Sequence, residues 1–167
     1  MKPWIKIALV LAGYVAAFVI ASAVAAAWSA VAQGSDGMVA FGESLLFLGV
    51  FAVAAVPATG GALFFLRPYP KFWRVLSIAS LCLAATGLAA AIVFAIGRNE
   101  MNSALGMWAA VAVLRILIAP LLVGAFALCA AFAPIRPARI AFLCAAAMDV
   151  AAIGCWALVG FLSAFLR

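Results

Sequence analysis

Long apolar runs broken by short polar punctuation cover the whole chain. Five stretches, roughly residues 4–32, 38–66, 75–96, 104–133 and 140–166, are almost continuously apolar. Between them stand "QGSDG" (33–37), "RPYPKFWR" (67–74), "GRNEMNS" (97–103) and "PIRPAR" (134–139), whose Gly, Pro, Asn and charged residues are those of turns. About 20 helical residues cross a hydrocarbon core ~30 Å thick, and each run meets that length. None shows the alternation of apolar and polar positions expected of barrel strands. The pattern therefore predicts an all-α fold, a polytopic transmembrane helical bundle with five spans. The connections are too short to hold a soluble domain, so residues 1–167 read as a single transmembrane domain.

Inside the runs, small residues recur at helical spacing. The first carries Gly13, Ala17, Ala21, Ala25 and Ser29 at four-residue intervals, a strip suited to close helix contact within or between protomers. Shorter strips run through Ala54, Ala58 and Ala62, and through Gly87, Ala91 and Ala95. Pro57 and Pro120 each remove a backbone bond, to the carbonyls of Val53 and Ile116, and predict kinks there. "PATGGALF" (57–64) aligns with "PLLVGAFA" (120–127), and "IASLCLAA" (78–85) with "IAFLCAAA" (140–147). Spans two–three and four–five would then be repeated hairpins, although Ala and Leu matches carry little weight in so Ala-rich a chain.

Composition strengthens the membrane assignment. The chain is 72% hydrophobic and 8% charged, with a mean hydropathy of +1.38, whereas soluble domains are about a quarter charged. Lys2, Lys6, Arg67, Lys71, Arg74, Arg136 and Arg139 fall on one side of the predicted spans. Arg98, beside Glu100, and Arg167 fall on the other, with the lone Asp36. By the positive-inside rule the N-terminus is cytoplasmic and the C-terminus outside, as in a bacterial inner (cytoplasmic) membrane protein. The basic start and A-x-A spacing of the first run resemble a signal peptide. Its apolar run continues to Ala32, which favours an uncleaved signal anchor. The net charge of +6 is dispersed over membrane-flanking loops, so nucleic acid is not an expected partner. Insertion topology explains most of it, and Arg67, Lys71, Arg74, Arg136 and Arg139 are candidates to hold anionic lipid headgroups. Trp4, Tyr69 and Trp73 read as interface anchors.

The candidate chemistry rests on three ionisable residues within the apolar runs: Glu43, Arg115 and Asp149. A charge at the centre of a membrane helix costs ~2.5–3.5 kcal/mol even on the lenient scale, so each should face a partner or water. Counting depth at about 1.5 Å per residue, Arg115 comes near the midplane, Glu43 in the outer third and Asp149 somewhat inside. Side chains lean towards the helix N-terminus, which carries Arg115 towards Glu43 and Asp149 away. An Arg115–Glu43 pair is the resulting expectation, with Asp149 the less favoured partner. Such a pair serves as a structural clamp or lines a polar cavity for an anionic substrate or headgroup; the Ala neighbours of Arg115 (Ala112, Ala119) and Asp149 (Ala145, Ala152) suit either.

Catalysis has little support. The chain has no histidine, the usual general base and a common zinc ligand. Paired aspartyl chemistry needs two carboxylates at one level, which Glu43 and Asp149 do not offer. The lysines lie away from any buried serine. Cys82, Cys129 and Cys144 fall at similar depth, which raises a soft-metal site, but Cys in such a chain behaves as a small apolar residue, and so does Cys155. No cofactor and no metal are expected. The expected function is a small non-enzymatic integral membrane protein acting through helix contacts, as a homo-oligomer or as an accessory subunit among membrane lipids. The alternative is a small transporter, channel or lipid-handling protein with a polar cavity at Arg115 and Glu43.

Overall fold

The computed structural model describes residues 3–31, 36–97 and 104–165. Lys2, Arg98, Glu100 and Arg167, which enter the charge balance above, lie outside these residues. Among the described residues the secondary structure is wholly helical: α1 (Pro3–Ser29), α2 (Asp36–Ala54), α3 (Val56–Leu66), α4 (Pro70–Gly97), α5 (Ala104–Phe132) and α6 (Arg136–Phe165). Five of them, all but α3, are long and apolar enough to cross a membrane. Large apolar side chains such as Leu9, Phe41, Ile78, Leu114 and Leu143 stand exposed along them, a surface that suits hydrocarbon rather than water. The chain divides into two compact units, Met1–Leu66 and Arg67–Arg167.

In the first unit, α2 and α3 occupy the stretch expected to be one span over 38–66. They are separated only at Ala55, where hydrogen bonds from Ala55 N to Phe51 O (2.8 Å) and from Thr59 N to Ala55 O (2.9 Å) carry the helical pattern across the break. Pro57 is the cause, since it cannot donate to Val53, and Gly60 and Gly61 just beyond it lower helix propensity further. Pro120, by contrast, lies within an uninterrupted α5. Against α2–α3 runs α1 in the opposite direction. Lys6 Nζ sits 5.2 Å over the Phe65 ring, Tyr14 bonds Thr59, Phe18 meets Phe47 edge-on, and Trp28 lies beside Gly42. The small-residue strip of α1 makes this contact. Ala17, Ala21 and Ala25 are buried, and a methyl placed at Gly13 would stand 2.8 Å from Ala58 Cβ. That strip is therefore spent within the chain, and only Ser29 at its end is exposed.

The second unit is a three-helix bundle in which each helix packs on the other two. Its buried positions follow a 4-3-4-3 spacing: Trp73, Ser77, Ser80, Ala84 and Gly87 on α4, and Ala138, Phe142, Ala145, Asp149 and Ala152 on α6. On α5 the corresponding residues include Ala109, Ala112, Ile116 and Ala119. This is a coiled-coil seam built mainly from small residues, which let helix backbones approach. Contacts of Trp73 with Phe142 and of Gly87 with Asp149 show that α4 and α6 run in the same direction.

Two helix starts differ from expectation. The breaker sequences "RPYPKFWR" and "PIRPAR" were expected to stay outside the spans, yet α4 begins at Pro70 and α6 at Arg136. Proline fits the first turn of a helix, where its missing N–H is not needed. The result corrects the expected role of Trp73. It is fully buried, edge-on to Phe142 at 6.1 Å, and anchors the bundle core rather than the interface. Trp4 and Tyr69 are exposed.

Candidate functional site

Midway along the second unit lies a buried charge cluster, the one ion pair among the described residues. Arg115 Nη2 donates to Asp149 Oδ1 at 3.0 Å, with the Asp149 side chain fully buried and that of Arg115 17% exposed. The same Nη2 donates to the Leu83 carbonyl at 2.9 Å, and Arg115 Nε donates to Thr86 Oγ1 at 3.2 Å. Thr86 in turn gives its own proton to Leu83 O (2.6 Å). One guanidinium on α5 is thus tied to a carboxylate on α6 and to two groups on α4.

The room for it comes from Gly87. A Cβ there would collide with Asp149 Oδ1 and stand 3.0 Å from Arg115 Nη2. Glycine is required at that seam position because the ion pair fills the volume of its missing side chain. Two polar atoms of the cluster, Arg115 Nη1 and Asp149 Oδ2, are buried with no hydrogen-bond partner.

The expected Arg115–Glu43 pair is thereby corrected: the partner is Asp149. Depth counted along upright helices, with side-chain lean deciding, favours Glu43. Counted from the turn between α5 and α6, the two residues differ by about four positions, or ~6 Å along a helix, a gap the long Arg side chain closes. Asp149 holds a seam position on α6 and faces α5 and α4 for that reason. The register of Asp149 with Ala145 and Ala152, together with Gly87 on α4, carries this signal in the sequence, and register outweighs depth in setting the pair.

Glu43 lies in the other unit. It is half-buried and lines a groove of about 520 Å³ between α1 and α2 with Ser22, Ala25, Ala40, Ser44, Phe47 and Leu48. Among the described residues no ion pair reaches it. Tyr14 and Thr59 form a further polar contact of this unit, which sequence reasoning did not single out. Their oxygens are 2.9 Å apart. Because Thr59 spends its proton on the Ala55 carbonyl (2.9 Å), Tyr14 is the donor.

The five headgroup candidates are all exposed and belong to the second unit: Arg67 in the turn before α4, Lys71 and Arg74 at the start of α4, Arg136 and Arg139 at the start of α6. As α4 and α6 run in the same direction, these charges gather at one end of the bundle. Arg139 also has a local task. Its Nε donates to the Ala133 carbonyl at 2.6 Å, satisfying a group that the end of α5 leaves without a helical partner. Cys82, Cys144 and Cys155 are exposed and Cys129 is half-buried. Among the described residues no three His, Cys, Asp or Glu side chains come together in a way that could hold a metal ion.

No protein-family model matches the chain, and no curated protein or solved structure is similar to it.

Proposed function

We propose that the chain is a small non-enzymatic integral membrane protein of a bacterial inner membrane, acting through helix contacts as an oligomer or as an accessory subunit of a membrane complex. The Arg115–Asp149 cluster carries this reading. Its hydrogen bonds run to three helices of one bundle, and Gly87 is shaped around it. That is how a register clamp is built, and it leaves the exposed apolar faces as the working surface. Lys71, Arg74, Arg136 and Arg139 gather where α4 and α6 begin, which suits a cytoplasmic end bathed in anionic headgroups and a cytoplasmic N-terminus.

Extraction from native membranes in polymer-bounded lipid discs, followed by native mass spectrometry, tests the reading. It expects a species heavier than one 17.2 kDa chain, with anionic lipid retained. Single chains alone would contradict it. The second reading, a transporter or channel with a polar cavity at Arg115, draws on the two unbonded atoms, Arg115 Nη1 and Asp149 Oδ2. Under it, Arg115→Ala abolishes solute flux in proteoliposomes with little change in Tm; under the clamp reading the same change lowers the Tm of the bundle.

A further inference from the structure

The Glu43 groove is the polar feature that the clamp does not use. We propose that it docks a transmembrane helix of another membrane protein, through a Lys or Arg side chain that pairs with the Glu43 carboxylate. The inference rests on the accessory-subunit reading and names the chemistry of the partner.

The first argument is charge. Glu43 lies within an apolar helix, where an unpaired carboxylate is costly and marks function by default. The only described base of its unit, Lys6, is held over Phe65 at the opposite end of α1. From Lys6 to Ser22, which lines the groove, is ~24 Å along the helix. Arg115 is committed to Asp149. Among the described residues of the unit no other base is left for Glu43, and the proposed complementarity comes from outside the unit. The other polar groups of the groove, the hydroxyls of Ser22 and Ser44, add oxygen lone pairs; Ser44 already spends its proton on Ala40 O (2.8 Å). Such a lining accepts hydrogen bonds and suits an ammonium or guanidinium.

The second argument is shape. Ser22 and Ala25 on α1, and Ala40 and Ser44 on α2, line the groove with small side chains, the residues that let a third helix backbone come close. Phe41, Leu45 and Leu48 stand exposed nearby on α2 and extend an apolar contact surface along it. A lipid ammonium fits this surroundings less well, because a headgroup stays in the polar interface, whereas a transmembrane helix holds its basic residue at a fixed depth among apolar neighbours.

The test uses the full chain in phosphatidylcholine vesicles and three synthetic Leu/Ala transmembrane helices. One carries Lys at the depth of Glu43, one carries Leu there, and one carries Lys near the opposite end. Association is read by fluorescence energy transfer. Buried polar contacts in membranes contribute ~0.6–1.7 kcal/mol, so the matched Lys helix should bind roughly 3- to 20-fold tighter than the other two. Glu43→Gln should erase that preference with Tm unchanged, and Glu43→Lys should transfer it to a helix bearing Glu. Ala40→Leu, which fills the groove from an exposed position, should weaken the matched Lys helix. Equal binding of the Lys and Leu helices, or a preference that survives Glu43→Gln, would overturn the proposal. So would a choline lipid held near α2 in a Glu43-dependent way while the helices show no preference. The outcome is separable from the broader reading. Heavy complexes in native membranes that ignore Glu43→Gln would leave the subunit role standing and remove this site, whereas single chains in native membranes with helix docking intact would do the reverse.

Discussion

Replacing Gly87 by Ala adds one methyl group at the point where three helices meet around the ion pair. That carbon would collide with Asp149 Oδ1 and lie 3.0 Å from Arg115 Nη2 and 3.3 Å from its Cζ, inside the ~3.5–4.0 Å of comfortable contact. Neither neighbour can yield freely. Asp149 is fully buried, and Arg115 is held by Leu83 and Thr86 on the same helix as Gly87. Overpacking costs ~1–3 kcal/mol, and a weakened polar contact in the membrane adds ~0.6–1.7 kcal/mol. The better helix propensity of Ala returns about 1 kcal/mol. The net loss is roughly 0.6–3.7 kcal/mol, a fall in Tm of about 2–11 °C for a chain of this size, measured by thermal unfolding in mild detergent. Gly124→Ala and Gly154→Ala supply the control, since a methyl at either meets nothing within 4 Å and should be neutral or mildly stabilising. In an Asp149→Ala background the Gly87→Ala penalty should shrink, because only the contact with Arg115 remains. If Gly87→Ala is as harmless as Gly124→Ala, or its cost is undiminished without Asp149, the cavity is not shaped around the pair.

Other contacts make comparable claims. Thr86→Val removes the acceptor of Arg115 Nε and should cost ~0.6–1.7 kcal/mol by thermal unfolding, with Thr86→Ser close to wild type. In the first unit, Tyr14→Phe should lose a similar amount, because Thr59 keeps its bond to Ala55 and only the interhelical contact goes. Gly13→Ala should lower Tm by forcing α1 from α3, and adding Ala58→Gly should restore it, since the obstructing atom is Ala58 Cβ itself.

How much of this was legible beforehand depended on which force decided each feature. The helical spans follow from apolar length alone, and the burial of Ala17, Ala21 and Ala25 follows from their four-residue spacing. The break at Ala55 was foreshadowed by Pro57, whose missing N–H is visible in the sequence. At Pro120 the same missing N–H does not divide the helix: α5 continues through it, packed against α4 and α6. Trp73 would stand at the interface only if Pro70 broke the chain; Pro70 instead starts α4 and carries Trp73 into the bundle core. The partner of Arg115 was missed for a different reason. Depth and lean are properties of single helices, whereas the pairing is set by the register of three, and only the 4-3-4-3 spacing of α6 carries that information. Gly87 looked like one small residue among many until the ion pair occupied the space beside it.

A double-mutant cycle on Arg115 and Asp149 tests the clamp most directly. Arg115→Ala and Asp149→Ala should each lower the stability of the chain in detergent by ~3–5 kcal/mol, because each leaves an uncompensated charge buried. The double variant should lose clearly less than their sum and recover part of the Tm lost by either single change. Arg115→Ala combined with Glu43→Ala should instead be additive. Additive losses for Arg115 and Asp149, or coupling between Arg115 and Glu43, would contradict the pairing on which the clamp depends.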